Sequence, residues 1–298
     1  MIINGDSIQE LLKLETESIH CIVSDIPYGI SLDDWDVLHS NTNSSLGGSS
    51  PAQQKSGKVF KRMGKPINGW SNEDKLIPIQ YYDWCMSWAN ECNRVLKPGG
   101  SVFIFAGRRF AHRCITALED SGFNFRDLIG WTRNKAVYRA QRLSLVYEKR
   151  NDFHNAELWN GWRVGNLKPI FEPIIWAFKP YKIGGTLADN VLEHGVGAYN
   201  LKAVEKYFNH YDNIFYCPLE TTDKGLHIAQ KPVKLIECLI DMVTRENQVV
   251  LDPFAGSGTT AVAAQNLNRR FIMIEKSDEL CKIIESRTFK PLLSNYDN

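Results

Sequence analysis

Two short stretches hold side chains whose types and spacing can do chemistry. The first is Asp25-Ile26-Pro27-Tyr28, where a hydrogen-bond acceptor, a rigid turn and an aromatic face lie within four residues. That set suits a flat base carrying an amino group: the ring stacks on Tyr28 while its NH₂ donates to Asp25 and to a backbone carbonyl. The second is Val249-Val250-Leu251-Asp252-Pro253-Phe254-Ala255-Gly256-Ser257-Gly258-Thr259-Thr260. Here a buried strand runs into a tight glycine turn that opens a helix. Gly256 and Gly258 allow a sharp turn and close approach to a ligand, and the amides of the helix N-terminus suit an anionic group such as a carboxylate. About twenty residues on, the next strand ends in Glu275, where an acid can accept hydrogen bonds from both hydroxyls of a ribose. No Lys follows Gly258, so this is not a phosphate loop, and it is not a G-x-G-x-x-G turn. Either stretch alone also fits an ordinary turn.

The elements that must hold these stretches follow from the apolar patterning. Cys21–Ser24, Ser101–Phe105, Leu128–Trp131, Pro173–Phe178, Val249–Leu251 and Arg270–Ile274 read as strands. Helices are expected over Pro78–Val95, Arg108–Ser121, Val233–Arg245, Thr259–Leu267 and Ser277–Arg287. Lys97-Pro98-Gly99-Gly100 marks the end of the first of these helices. The stretch from Leu32 to Asn72 is rich in Ser, Asn and Gly and reads as a long loop, and Lys179 to Thr222 shows no sustained periodicity. Alternating strands and helices call for a mostly parallel α/β sheet. In such a sheet the carboxyl ends of the strands are where ligands bind, and Asp25, Asp252 and Glu275 all fall there.

Composition narrows the class. The 298 residues are 43% hydrophobic and 23% charged, enough for one large domain or one domain with an insertion. No apolar run approaches a membrane span, and Met1-Ile2-Ile3-Asn4-Gly5-Asp6 lacks the regions of a signal peptide, so a cytoplasmic protein is expected. Seven scattered cysteines without a CxxC pair point to reduced core thiols and no metal site. The net charge of +1 hides a local excess. Trp131 to Lys182 carries ten Lys and Arg against four acids, leaving the remainder net negative. Such a segment suits a polyanion, although a solvated face reads the same way. Tyr138, Tyr147, Phe153, Trp159 and Trp162 interleave with these charges and read first as core.

Taken together and in this order, the two stretches resemble the β group of amino-group (N6-adenine or N4-cytosine) DNA methyltransferases. There the catalytic motif D-P-P-Y precedes a cofactor motif ending in F-x-G-x-G, matched here by Phe254-Ala255-Gly256-Ser257-Gly258. Asn4-Gly5-Asp6-Ser7, Leu96-Lys97-Pro98-Gly99-Gly100 and His227-Ile228-Ala229-Gln230-Lys231-Pro232 resemble further family landmarks in the same order. Leu167-Lys168-Pro169 with Glu172-Pro173-Ile174-Ile175 resembles a stretch common in phage and prophage members. One position departs: Ile26 stands where the family usually has Pro. Its main-chain carbonyl is still available to the target amine, but backbone rigidity is lost.

The resemblance implies a Rossmann-like S-adenosylmethionine methyltransferase sheet of about seven strands in circularly permuted order, with an inserted target-recognition region. Residues 1–132 would form the catalytic half, 133–226 the DNA-contact region around core strand 173–178, and 227–298 the cofactor half. Asp25, Ile26, Pro27 and Tyr28 would act on a flipped base of double-stranded DNA. S-adenosyl-L-methionine would be held by Asp6, His227, Lys231, Pro232, Asp252, Phe254, Gly256, Gly258, Thr259 and Glu275. DNA phosphates would meet Lys135, Arg139, Arg142, Lys149, Arg150, Arg163 and Lys168. An Asp at the first motif position is associated in the family with N6 of adenine. N4 of cytosine, an RNA base, or a non-catalytic DNA-binding protein of the same fold are the competing readings. A homodimer and a cognate restriction endonuclease are further partners that the resemblance suggests.

Overall fold

The computed structural model describes residues 1–28, 72–133, 136, 140–218 and 230–289. Its strands are β1 (Ile2–Asn4), β2 (Ile19–Asp25), β3 (Leu96–Phe105), β4 (Asn124–Thr132), β5 (Gln141–Arg142), β6 (Arg163–Val164), β7 (Phe171–Phe178), β8 (Ile214–Tyr216), β9 (Val249–Asp252) and β10 (Arg270–Glu275). Eight of them form one sheet in the order β1-β10-β9-β2-β3-β7-β4-β8, while β5 and β6 pair separately. Pairing is parallel from β1 across to β3 and again between β4 and β8. β7 alone runs antiparallel, against both β3 and β4.

That reversed strand has a positional consequence. β4 leaves the sheet at Thr132, and the chain re-enters at Phe171, which pairs with Thr132. The excursion between them therefore hangs from the same carboxyl edge where β2, β9 and β10 end. Because β7 runs backwards, its first residues and not its last lie at that edge.

The side-chain alternation of a strand divides the core between the two faces. On β3, Val102 and Ile104 point to one face, where they join Leu11, Tyr81, Trp88, Leu118 and Ile175. These come partly from α1 (Ser7–Leu11), α2 (Asn72–Val95) and α3 (Ala111–Asp120). Phe103 and Phe105 point to the other face, with Trp131, Trp176, Val204, Leu235, Leu239 and Ala263. All seven cysteines are buried and none forms a disulfide among the described residues, in line with their reading as small core residues.

Several boundaries differ from the sequence expectation. α2 begins at Asn72, so Pro78 sits inside it and forfeits one intrahelical hydrogen bond. β3 begins at Leu96, paired with Ile19, and its register shifts before Ser101, so Lys97 to Gly100 bulge from a strand already under way. In the excursion lie two short helices, α4 (Leu143–Glu148) and α5 (Phe153–Leu158). The segment from Lys179 to Thr222, read as irregular, holds α6 (Leu187–His194), α7 (Leu201–Phe208) and β8. α6 carries a Thr186/Asp189 capping box and ends at Gly195 with φ 71°, and α7 is capped by Asn200. α8 (Val233–Val243), α9 (Thr259–Asn266) and α10 (Asp278–Thr288) complete the described helices. Among the described residues, no helix is long and apolar enough to cross a membrane.

Candidate active site

Three parallel strands, β2, β9 and β10, bring Asp25, Asp252 and Glu275 to one edge of the sheet. There they line a cavity of about 710 Å³ together with Asp6, Trp84, Phe254 and Gly256. The glycine turn serves this cavity in two ways. Gly256 has φ 53°, and a Cβ placed on it would meet nothing within 4 Å, so it presents bare backbone to the space. Gly258 has φ 80°, and a Cβ there would lie 2.7 Å from Ile284 of α10, so it serves helix packing.

Asp252 braces this turn. It is 3% exposed and accepts hydrogen bonds from Ser24 Oγ (2.7 Å), Thr260 Oγ1 (2.7 Å) and the Phe254 amide (3.1 Å). Burial pushes its carboxyl up to about 6, against the pull of those three donors. Glu275 accepts from the Gly256 amide and the Ser277 amide, each at 2.8 Å. Asp6 caps α1 by accepting from the Ile8 amide at 3.2 Å, and Ser7 Oγ donates to the Pro253 carbonyl. This donor set fits S-adenosyl-L-methionine. Glu275 ends β10 where an acid could take the hydroxyls of a ribose, a helix N-terminus suits the carboxylate, and the Trp84 and Phe254 rings, 5.6 Å apart, line an apolar wall.

The loop Asp25–Tyr28 is held by packing beneath it. Ile26, the departure from the family motif, is 1% exposed within the core cluster that includes Ile77 and Tyr81, and Tyr81 Oη donates to the Pro27 carbonyl at 3.3 Å. Side-chain packing thus restrains a loop that has Ile26 in place of the first of the motif's two prolines. Gly107, just beyond β3, makes room for Tyr28: a Cβ there would lie 2.9 Å from Tyr28 Cβ.

Asp25 stands in a tight ionic network. Lys231 Nζ donates to Asp25 Oδ2 at 2.5 Å and reaches Glu172 Oε1 at 3.1 Å. Tyr28 Oη lies 2.5 Å from Glu172 Oε1, 2.9 Å from Asp25 Oδ1 and 3.2 Å from Lys231 Nζ. Arg133 Nη2 approaches the other Glu172 oxygen at 3.6 Å. The Lys231 ammonium also lies within 6 Å of the ring centres of Tyr28, Phe105 and Trp131. Burial opposes its charge, yet Asp25 and Glu172 outweigh burial and hold its pKa above the usual lysine value. Burial likewise pushes Asp25 upward, with Lys231 pulling it down and Glu172 adding to the rise.

The sequence-predicted residues therefore divide. Asp25, Pro27, Lys231, Asp6, Asp252, Phe254, Gly256, Thr259 and Glu275 all line the one cavity. Lys231, expected at the cofactor, places its ammonium on Asp25, and Pro232 is the buried residue preceding α8. Glu172 enters the site without having been singled out. His227, Lys135 and Arg139 lie outside the described residues, as does Tyr138. In the excursion, Arg142, Lys149, Arg150, Arg163 and Lys168 are exposed. Phe153 and Trp162 are exposed as well (68% and 61%), which corrects their reading as core, because so small a lobe encloses little. Trp162 meets Trp159 edge to face at 5.3 Å.

Residues 19–286 match the N6/N4 DNA methylase family model. The chain is 56% identical over 292 residues to the Type II methyltransferase M.HindIII of Haemophilus influenzae, covering 96% of this chain and 94% of that protein. Among solved structures it resembles the PvuII DNA methyltransferase (cytosine-N4-specific), with TM-score 0.63 and 17% identity over 98% of this chain and 87% of that one. It also resembles M1.HpyAVI in complex with SAM, with TM-score 0.52 and 20% identity over 96% and 98%. At such identities the structures speak for the fold, and it is the family match and the M.HindIII relationship that classify the protein. The chain belongs to the N6/N4 DNA methylase family, as a DNA methyltransferase of restriction–modification type with S-adenosyl-L-methionine as its cofactor.

Proposed function

We propose that this methyltransferase acts on N6 of adenine in a specific DNA sequence, with the base flipped into the cavity beside Asp25. The observation that carries this reading is the carboxylate of Asp25 opening into the cavity that Gly256 and Glu275 also line. Asp at the first motif position is the family's association with adenine.

When bound, S-adenosyl-L-methionine supplies a methyl group already activated on a positively charged sulfur. The residues of this chain then mainly position and polarise. Two acceptors, the Asp25 carboxylate and the Ile26 carbonyl, take hydrogen bonds from the base NH₂. That draws the nitrogen toward tetrahedral geometry and directs its lone pair at the methyl. A carboxylate has about four lone-pair sites, so Asp25 can hold Lys231 and the base together. Transfer would form the N–CH₃ bond as the S–CH₃ bond breaks with its electron pair left on sulfur, and Asp25 is placed to accept the N–H proton that the amine then gives up. The Tyr28 ring offers the stacking face, and Asp6 and Glu275 would hold the nucleoside of the cofactor.

Recognition is assigned to the excursion within 133–226. Arg142, Lys149, Arg150, Arg163 and Lys168 would meet phosphates, with Trp162 and Phe153 beside them. A cognate nuclease and a homodimer belong to the same proposal.

The test is transfer of labelled methyl to DNA by the wild-type protein and by Asp25→Ala, followed by digestion to nucleosides and mass analysis. N6-methyladenine from wild type, and none from Asp25→Ala with cofactor binding kept, is expected. N4-methylcytosine alone overturns the choice of base, and no transfer to any DNA overturns catalysis.

A further inference from the structure

We infer that Glu172 is a positioning residue of the methyl-transfer site: it takes the Tyr28 hydroxyl proton and shares the Lys231 ammonium, which keeps a lone pair of Asp25 open for the amino group of the base. The inference rests on the reading of Asp25 given above.

Glu172 is 9% exposed at the head of β7, followed directly by the buried run Pro173 to Ala177. A carboxylate there is costly unless paired. Its hydrogen-bond and ion-pair partners, Tyr28, Lys231 and Arg133, include one residue of the catalytic loop and one that grips Asp25. Its position follows from topology, because only a strand running backwards places its first residues at the edge where Asp25 ends β2.

Proton counting supplies the rest. Tyr28 Oη has one proton and two carboxylate oxygens within reach, Glu172 Oε1 at 2.5 Å and Asp25 Oδ1 at 2.9 Å. It can donate to only one of them, and the shorter contact is to Glu172. Asp25 Oδ1 then remains an acceptor, while Oδ2 is taken by Lys231. Without Glu172 the hydroxyl turns to Asp25 Oδ1 and Lys231 closes on Asp25 alone, so each oxygen carries a competing donor and the base meets a crowded, weaker acceptor. Two carboxylates, Asp25 and Glu172, are balanced here by two cations, Lys231 and Arg133, with Asp252 the next acid behind Asp25. Burial pushes the Tyr28 hydroxyl well above its ordinary value, with Asp25 and Glu172 adding to it, so the proton stays on oxygen. Burial alone would raise Glu172, but Lys231, Tyr28 and Arg133 hold it below the usual carboxylate range, ready to accept.

The experiment is single-turnover methyl transfer across pH by wild type, Glu172→Gln, Tyr28→Phe and the double variant. S-adenosyl-L-methionine and DNA affinities are measured for each. Glu172→Gln should slow transfer about tenfold or more, with both affinities within about twofold of wild type. The acid limb of its rate profile should move to lower pH, because Asp25 loses a negative neighbour. In the Tyr28→Phe background, where no hydroxyl proton competes, Glu172→Gln should cost less than a third as much. A Glu172→Gln rate within twofold of wild type, or an equal loss in both backgrounds, overturns the inference while leaving the role of Asp25 standing. No transfer by wild type overturns the reading beneath it. Should Glu172→Gln fail to fold, Glu172→Asp keeps the charge but withdraws the carboxylate from Tyr28, and it should slow transfer about tenfold with the acid limb left in place. Full activity of that variant would also overturn the inference.

Discussion

Lys231 Nζ lies 2.5 Å from Asp25 Oδ2, joining the residue that precedes the buried Pro232 before α8 to the carboxyl end of β2 across 206 positions of chain. The pair is closed in by the rings of Tyr28, Phe105 and Trp131 and shared with Glu172. Lys231→Met should therefore do two separable things. It leaves two carboxylates facing each other in a buried site, which should cost about 3–5 kcal/mol of stability. It also removes the cation that pulls Asp25 down, so the acid limb of methyl transfer should move to higher pH. Thermal melts and a pH–rate profile read the two effects. A limb that stays in place would mean that Asp25 titration does not govern the rate.

The two glycines of the turn between β9 and α9 should respond differently. At Gly256 an alanine pays only for its positive φ, roughly 1 kcal/mol, but places a methyl group against the cavity. Calorimetry should show weakened S-adenosyl-L-methionine binding on a protein that melts close to wild type. At Gly258 the added Cβ meets Ile284 at 2.7 Å as well as carrying φ 80°. Gly258→Ala should lose about 2 kcal/mol or more. Equal stability losses at the two positions would contradict this division.

These contrasts show where the sequence was informative. Asp25, Asp252 and Glu275 were placed correctly because each ends an apolar, β-branched run, and the edge of a parallel sheet does the rest. Gly258 was read as a ligand-side glycine like Gly256, since both look alike until α10 supplies Ile284. Glu172 went unnoticed because its partners come from distant elements that only the reversed β7 brings together. The available signal was a charge standing at the head of an unbroken buried run. α6 and α7 span about two turns each, too short for apolar periodicity to emerge. The Thr186-x-x-Asp189 box and Gly195 were the marks that could have revealed α6.

Asp252 sets a pH dependence of stability. Its carboxyl sits near 6 in the folded protein, against about 4 for an ordinary aspartate. Between those values the folded state binds a proton that the unfolded chain has released. Its contribution to stability must therefore fall as pH rises from about 4 to about 6, and stay flat on either side. The full change is on the order of 3 kcal/mol. Subtracting the melting behaviour of Asp252→Asn from that of wild type isolates this single group. A difference that does not decline across that window would show that the donors Ser24, Thr260 and the Phe254 amide offset burial completely.

The exposed cations of the excursion give a prediction in salt. Arg142, Lys149, Arg150, Arg163 and Lys168 lie on a lobe that leaves and rejoins the sheet at the edge carrying Asp25. Each phosphate contact in duplex DNA contributes about 0.9 to the slope of log affinity against log salt. Alanine at any one of the five should weaken binding on specific and nonspecific duplexes alike and lower that slope by about 0.9. Lys179, tied to Glu17 at 3.1 Å, should leave the slope unchanged when replaced and serves as the control. Fluorescence anisotropy over a salt series measures both quantities. If the five leave the slope unaltered while alanine at Lys179 lowers it, the phosphate-contacting face lies at the opposite edge of the sheet.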